Sequence, residues 1–354
     1  MWKKILGIFA GVNSEKPSSL QRIAVWRSIL LVGGILLLTA FLIADRVRFR
    51  NPLPNFLSRR GTYWPLIQDT EAADMTRDFQ LIALNPSITF DFHGAKFTTN
   101  IWAMRDKEYE RIPGRDSFRV AILGSSIVMG SGVADEEVFE SVLEDRLNEE
   151  FGGQAYENYE LLNFAVAGFS PLQELLIFET KALGFSPDAL FYFANTRDES
   201  KLIPALANRI SIGAQIPYPG LNTLIQGAGI NSQMSPETIE ARLDPLTDEI
   251  LSWVYLEIVA LSQASGVLPI WIYLPDVKPV PSEQIFLDLS EKAREAGFII
   301  VNLSGIFEGY DRDALIVAAW DLHPNRTGHV LIADGLYKAL LTDAELGIAF
   351  GLNQ

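Results

Sequence analysis

The sequence contains no cysteine and only three histidines, and both scarcities limit the chemistry open to the chain. Without cysteine there is no disulfide scaffold, no Cys-ligated zinc site, no iron–sulfur cluster and no thiol nucleophile. Any step that needs an imidazole must use His93, His323 or His329. The compartment stays open, because a cysteine-free chain is stable in oxidising and reducing surroundings alike.

Charge is sparse and unevenly placed. Charged residues make up 21% of the 354 residues and hydrophobic residues 48%, which excludes a mainly disordered chain. Residues 1–60 hold ten Lys or Arg and two acids, a net charge of +8, so the total of −15 leaves −23 for the remainder. A body this acidic repels phosphate backbones, and we therefore expect no nucleic acid among its partners.

Residues 28–44 form an uncharged apolar run, SILLVGGILLLTAFLIA. Seventeen residues of helix extend about 26 Å, near the roughly 30 Å needed to cross the hydrocarbon core of a bilayer. We predict a single-pass membrane anchor here, after a basic segment at residues 1–27; a buried core helix and a cleaved signal peptide are the alternatives. Five basic residues precede the run and five follow it, so charge does not orient it, and an extracytoplasmic body is our expectation.

From residue 118 onward, short apolar runs alternate with stretches of helical periodicity. The predicted strands are 118–124, 160–166, 189–195, 267–274 and 298–303. The predicted helices are 136–150, 171–183, 236–264, 282–296 and 325–342. This alternation favours an α/β fold with a parallel sheet and helices on both faces. We assign residues 118–345 to this domain and residues 45–117 to a connector and N-terminal elaboration.

Ligands of such sheets bind beyond the carboxyl ends of the strands. The first predicted strand is followed by GSSIVMGSG (124–132), which lacks both the lysine of a P-loop and the glycine spacing of a dinucleotide site. Two interpretations remain: an anion-binding turn, or a serine presented between a strand and a helix. The second needs an imidazole and a carboxylate, and Asp321 and His323 stand two residues apart before the last predicted helix.

Several separated segments resemble the conserved blocks of the SGNH or GDSL hydrolase superfamily, in the same order and each at a predicted strand end. They are AILGSSIVMGSGV, NFAVAGFSPLQEL, FYFANTRDE and WDLHPNRTGHVLIA, and TTNIWAMRDKEY is similar to a run that precedes the first strand in membrane-anchored members. The resemblance covers residues 100–342. It implies a flavodoxin-like three-layer α/β/α fold and ester chemistry, with no cofactor and no metal ion.

The resemblance also implies the roles of individual residues. Ser126 would attack the acyl carbonyl, His323 would act as general base and then general acid, and Asp321 would orient His323. The backbone N–H groups of Ser126 and Gly168 and the side chain of Asn195 would form the oxyanion hole.

Two positions depart from the family pattern. Gly-Asp-Ser is replaced by Gly-Ser-Ser, which leaves Ser125 as a second serine beside Ser126. The Asn-Asp pair of the third block is interrupted, because Asn195 is followed by Thr196 and Arg197 before Asp198.

The remaining polar residues have ordinary interpretations. We expect His93 on a surface loop and His329 packed at the start of the last helix. Arg105 and Asp106 could pair with each other or contact a ligand, and we expect the pairing. The uncharged stretch 211–232 is expected either to cover the Ser126 pocket as a lid or to pack against residues 51–117.

These observations together predict a membrane-anchored serine esterase that hydrolyses an O-acyl ester of a glycan or lipid. An O-acyltransferase of a glycan with the same triad, and a binding domain of this fold without catalysis, are the alternatives. The expected partners are an ester-bearing small molecule, glycan or lipid, and the membrane through residues 28–44.

Overall fold

The computed structural model describes residues 66–280 and 282–352. The predicted anchor at residues 28–44 lies outside these ranges, as do the basic segment at 1–27 and the start of the connector. No helix within the described ranges is both long enough and apolar enough to cross a membrane.

Eleven strands occur in the described residues, and they form one large sheet and three hairpins. The strands are β1 (Ala73–Met75), β2 (Ile82–Leu84), β3 (Thr89–Phe92), β4 (Ala95–Thr98), β5 (Ser117–Leu123), β6 (Asn158–Asn163), β7 (Ala189–Ala194), β8 (Leu268–Tyr273), β9 (Ile299–Asn302), β10 (Ile316–Ala318) and β11 (Asp321–Pro324). The hairpins pair β1 with β2, β3 with β4, and β10 with β11.

Ten α-helices are found in the same ranges. They are α1 (Ser126–Met129), α2 (Phe139–Phe151), α3 (Pro171–Thr180), α4 (Asp198–Ser211), α5 (Pro219–Gly227), α6 (Pro236–Leu243), α7 (Thr247–Ser265), α8 (Glu283–Ala296), α9 (Arg326–Thr342) and α10 (Ala344–Ala349). Short 3-10 turns occupy Ile67–Asp69, Asp135–Glu137, Ala182–Phe185, Asp244–Leu246 and Arg312–Leu315.

The large sheet is parallel throughout, with the strand order β6-β5-β7-β8-β9. This is the order 2-1-3-4-5 of flavodoxin-like folds. Neighbouring residues of a strand point to opposite faces, and on β7 the ring of Tyr192 lies 5.5 Å from Tyr255 of α7 while Phe193 lies 5.1 Å from Phe139 of α2. Helices therefore cover both faces, and the prediction of an α/β fold around a parallel sheet is confirmed.

The predicted helix at residues 236–264 is interrupted. Helix α6 begins after Ser235, whose hydroxyl accepts the backbone N–H of Thr238, and it ends at Leu243. A 3-10 turn at Asp244–Leu246 precedes α7, and it contains Pro245, which has no N–H to donate to a helical carbonyl. The periodicity of the apolar residues continues across this break, which is why the sequence predicts one helix.

The uncharged stretch 211–232 packs into the body of the fold. It contains α5, whose Leu221 and Ile225 are buried. Next to this helix, the ring of Tyr218 lies 5.7 Å from Phe79 and 5.4 Å from Trp253. The contact with Phe79 favours the expected packing against residues 51–117 over the expected lid.

A buried carboxylate, Glu140 near the start of α2, lies close to a second acid. Glu140 is 2% exposed. Burial, and next the negative charge of Asp106, raise the pKa of Glu140 to about 8. Asp106 itself accepts a hydrogen bond from the backbone N–H of Asn163 at 2.7 Å, which holds it beside β6.

We predict that this carboxylate makes the fold less stable as the pH rises. The folded state holds the Glu140 proton up to about pH 8, whereas the unfolded chain loses it near its ordinary value of 4.5. Stability should therefore be highest below about pH 5 for this group and fall up to pH 8. Between pH 5 and pH 8, the free energy of unfolding of Glu140→Gln should therefore decrease by about 2 kcal/mol or more less than that of the wild type. Each pKa unit corresponds to about 1.4 kcal/mol.

Thermal unfolding of the full chain between pH 5 and pH 8.5 measures this effect. Glu149→Gln, on an exposed position of the same helix, is the matched control and should keep the wild-type slope. Equal slopes for Glu140→Gln and the wild type would contradict the assignment.

Candidate active site

Local structure brings three predicted site residues to one edge of the sheet. Ser126 is the first residue of α1, which follows β5, the strand between β6 and β7. Asp321 and His323 lie on β11, where residues two apart share one side of the strand. The chain then enters α9, whose N-terminus is capped by Asn325 through bonds from the N–H groups of Thr327 (3.0 Å) and Gly328 (3.2 Å).

Ser126, His323 and Asp321 form a continuous line of hydrogen bonds. His323 Nε2 lies 2.8 Å from Ser126 Oγ, and His323 Nδ1 lies 2.5 Å from Asp321 Oδ1. The backbone N–H of His323 also donates to Asp321 Oδ1 at 3.1 Å. A hydroxyl next to an imidazole, itself held by a carboxylate, is the arrangement that activates a serine nucleophile.

The carboxylate of Asp321 is held in its ionised form. Asp321 is 4% exposed. Burial acts to raise its pKa, but the hydrogen bonds from His323 and from His93 outweigh burial and bring the pKa well below the usual range. The carboxylate therefore keeps its negative charge beside the His323 imidazole.

The second imidazole at Asp321 belongs to His93, and the expectation that His93 is a surface-loop residue is wrong. The side chain of His93 is 6% exposed, and its Nδ1 lies 3.0 Å from Asp321 Oδ2. The sequence misses this contact because it joins residues far apart in the chain. The dipeptide His93-Gly94 is compatible with the left-handed turn that the structure shows, but it does not indicate which group the turn faces.

The two neighbouring serines face different groups. Ser126 Oγ faces the imidazole of His323, whereas Ser125 Oγ accepts a hydrogen bond from Lys201 Nζ at 2.8 Å. Ser125 is 4% exposed. Ser126 is therefore the one of the two serines that is partly exposed and placed next to an imidazole.

The groups predicted for the oxyanion hole follow three adjacent strands. Ser126 follows β5, Gly168 follows β6 and Asn195 follows β7. Gly168 has a φ of 88°, in the left-handed region, and a Cβ there would lie 3.1 Å from Ile82 Cδ1. Both observations explain a glycine at this position.

Asn195 is held by its own loop. Its Oδ1 accepts the backbone N–H of Arg197 at 2.8 Å, and its backbone N–H donates to Asp198 Oδ2 at 3.3 Å. Thr196 Oγ1 bonds Asp276 Oδ2 at 2.5 Å, which ties the loop to the end of β8. Asp198 thus supports Asn195 across the interruption of the family pattern, and the Asn195 Nδ2 group makes no hydrogen bond within the described residues.

Arg105 clamps the loop that follows Ser126, and the expected pairing of Arg105 with Asp106 is wrong. Arg105 is 2% exposed. Its guanidinium donates to the backbone carbonyls of Met129 (2.8 Å) and Val133 (2.5 Å), and also to that of Gly130. The sequence does not indicate this role, because every residue has a backbone carbonyl and the partners of Arg105 therefore have no characteristic side chains.

His329 packs as expected at the start of α9. It is completely buried, and its Nδ1 accepts the backbone N–H of Phe139 at 3.2 Å. Burial lowers the pKa of His329 to about 3, so the ring is neutral. Among the described residues, no group of three or more His, Asp or Glu side chains is arranged to hold a metal ion.

We predict that Arg105→Lys weakens both stability and turnover. A lysine keeps the charge but has no planar fork to reach several carbonyls at once, and buried acceptors then lose their donors. We expect a loss of about 2 kcal/mol in the free energy of unfolding, measured by urea denaturation, together with a lower kcat. Arg111→Lys, at an exposed position, should leave both unchanged. Wild-type stability in Arg105→Lys would show that the clamp is not needed.

Comparison with known proteins gives structural matches only. No protein-family model matches the chain, and no curated protein matches it. The psychrotrophic esterase EstA from Pseudoalteromonas sp. has 15% identity and a TM-score of 0.39, over 63% of this chain and 96% of that chain. A catalytic mutant of Axe2, an acetylxylan esterase from Geobacillus stearothermophilus, has 10% identity and a TM-score of 0.41, over 64% and 95%.

A further match is a protein from Desulfitobacterium hafniense that is described as lipolytic and of the G-D-S-L family. It has 14% identity and a TM-score of 0.35, over 63% of this chain and 99% of that chain.

Proposed function

We propose that the protein is a serine esterase of the SGNH type that hydrolyses an O-acyl ester of a glycan or lipid. One observation carries the proposal: Ser126 Oγ lies 2.8 Å from His323 Nε2, and His323 Nδ1 lies 2.5 Å from Asp321 Oδ1. A serine hydroxyl is a weak nucleophile at neutral pH, and this line of contacts supplies both the base and the group that orients it.

In the first half of the reaction, Ser126 Oγ attacks the carbonyl carbon of the ester while its proton passes to His323 Nε2. The carbonyl oxygen becomes an oxyanion, which the N–H groups of Ser126, Gly168 and Asn195 stabilise. Collapse of the tetrahedral intermediate breaks the bond to the alcohol oxygen. The alcohol leaves with the proton from His323, and the acyl group remains on Ser126.

In the second half, water replaces the alcohol. His323 takes a proton from the water as its oxygen attacks the acyl carbonyl, and it returns that proton to Ser126 Oγ as the acid leaves. The charge of Asp321 offsets the charge of the His323 imidazolium in both halves. The low pKa of Asp321 supports this role, because the carboxylate does not itself take up the proton.

The alternatives share the same residues. In an O-acyltransferase, a glycan hydroxyl takes the place of water in the second half, and a binding domain would bind the ester without cleaving it. The contact between Ser126 and His323 favours catalysis over binding alone, because a binding domain has no need of a base at 2.8 Å from a serine.

We also propose that residues 28–44 anchor the chain in a membrane, with the esterase body outside the cytoplasm. The uncharged apolar run and its basic flanks support the anchor. The large, acidic body is compatible with translocation, because long domains cross largely regardless of flanking charge. Membrane fractionation of the full chain with carbonate extraction tests the anchor, and release of the chain into the aqueous phase would overturn it.

We predict that Ser126→Ala abolishes ester hydrolysis, with a loss on the order of 10³-fold or more in kcat/KM. The fold should remain intact, because the change removes a single hydroxyl. Ser125→Ala is the matched control; it deletes the hydroxyl bonded to Lys201 and should keep most of the activity. Initial rates on 4-nitrophenyl acetate measure both variants, and an inactive Ser125→Ala beside an active Ser126→Ala would reverse the assignment of the nucleophile.

Partition of the acyl group separates the esterase from the transferase. The full chain is incubated with an acetylated oligosaccharide, with and without a deacetylated acceptor, and free acetate and transferred acetyl groups are quantified by mass spectrometry. The esterase proposal predicts free acetate at the same rate in both mixtures. Acetyl transfer to the acceptor at the expense of free acetate would establish the transferase instead.

A further inference from the structure

Both oxygens of the Asp321 carboxylate are engaged, and by two different imidazoles. Asp321 Oδ1 accepts from His323 Nδ1 (2.5 Å) and from the His323 backbone N–H (3.1 Å). Asp321 Oδ2 faces His93 Nδ1 at 3.0 Å. A Ser-His-Asp mechanism requires only the contact on Oδ1, so the contact on Oδ2 is additional.

His93 reaches Asp321 on the tip of the hairpin β3–β4. The two turn residues, His93 and Gly94, have φ values of 58° and 76°. Two positive φ values in a two-residue loop are typical of the type I′ turn, which fits the twist of paired strands. Asp91 Oδ1 closes the turn by accepting the backbone N–H of Gly94 at 3.0 Å.

The His93 ring is held firmly in place. It stacks on Phe92, with the ring centroids 3.9 Å apart and the planes 19° from parallel. Phe92 is buried and contacts Phe97 across the hairpin, with the centroids 5.5 Å apart. The left-handed backbone and the stacked ring together leave the imidazole little freedom.

The other end of the hairpin is fixed to the segment that follows the nucleophile. Thr98 donates to Asp135 through its backbone N–H (3.0 Å) and through Oγ1 (2.5 Å). Asp135 opens the 3-10 turn just before α2. The hairpin therefore links the Ser126 side of the site to the Asp321 side.

We propose that His93 is a positioning residue for the esterase reaction. With its proton on Nδ1, the ring faces Asp321 Oδ2 at 3.0 Å and restrains rotation of the carboxylate about its Cβ–Cγ bond, so Oδ1 stays in line with His323 Nδ1. The same interaction with His93 makes the carboxylate less basic, which keeps the proton of the transition state on His323. The inference rests on the proposed esterase function, and it adds a fourth residue, from the N-terminal elaboration, to the line of contacts.

Three substitutions at His93 separate the effect of the hydrogen-bond donor from the effect of the turn conformation. His93→Gly keeps the left-handed backbone and removes the donor. His93→Asn tolerates the same backbone and places an amide N–H where Nδ1 stands. His93→Asp also tolerates the backbone but turns a carboxylate toward Asp321.

We expect His93→Gly to lower kcat on 4-nitrophenyl acetate by about tenfold to one hundredfold, the size expected for a lost hydrogen bond to a charged group, with KM nearly unchanged. His93→Asn should restore kcat to within a few-fold of the wild type. Asp91→Ala is the matched control, because it weakens the same turn without touching Asp321. It should lower the melting temperature while kcat stays at the wild-type level.

Wild-type kcat in His93→Gly, or equally low kcat in His93→Gly and His93→Asn, would overturn the role of His93. If His93→Gly does not fold, the comparison of His93→Asn with His93→Asp decides: activity in the first and little in the second supports the proposal, and equal activity overturns it. Ser126→Ala is assayed in parallel. Full activity in Ser126→Ala would show that the esterase mechanism fails, whatever the result at His93.

Discussion

The Asp321 carboxylate, held between two imidazoles, is the interaction on which the rest of the site depends. Burial disfavours the ionised carboxylate, and the interactions with His323 and His93 offset this cost. The surrounding elements hold Asp321 and His323 in this arrangement. The hairpin β10–β11 carries Asp321 and His323 on one side, and the Asn325 cap starts α9 directly after them.

Residues 66–117 act as part of the site and not as a separate spacer. Hairpin β1–β2 brings Ile82 against Gly168, and Phe79 accepts a hydrogen bond through its carbonyl from Gln173 Nε2 at 3.2 Å. Hairpin β3–β4 brings His93 to Asp321. Arg105 donates hydrogen bonds to backbone carbonyls of the loop after Ser126. This segment thus contacts the ends of β5, β6 and β11, the strands that carry or precede Ser126, Gly168, Asp321 and His323 of the proposed site.

The sequence predicts the central sheet well and these supporting contacts poorly, for physical reasons. A strand buried on both faces must be apolar along its whole length, so the run ALFYFAN marks β7 without any knowledge of its neighbours. Ser126, Asp321 and His323 are recognisable because their motifs sit at fixed places relative to strands and a capped helix. Their meeting in space follows from the topology of a parallel sheet.

The contacts that the sequence does not predict join a side chain to backbone atoms or to a residue far away in the chain, and neither kind of partner leaves a local sequence pattern. Arg105 binds backbone carbonyls, which every residue has. His93 binds a carboxylate 228 positions later in the chain, and only the docking of its hairpin decides whether the ring faces solvent or Asp321. The break between α6 and α7 has a visible cause in Pro245, yet the apolar periodicity on either side conceals it.

The central claim is that Ser126 is the nucleophile activated by His323, and covalent labelling tests it most directly. The full chain is treated with a fluorophosphonate, digested, and the modified peptide is sequenced by mass spectrometry. The account predicts one phosphonylated residue, Ser126, and no labelling when His323 is replaced by alanine. A label on Ser125 or on another hydroxyl, or labelling of Ser126 that does not depend on His323, would contradict it.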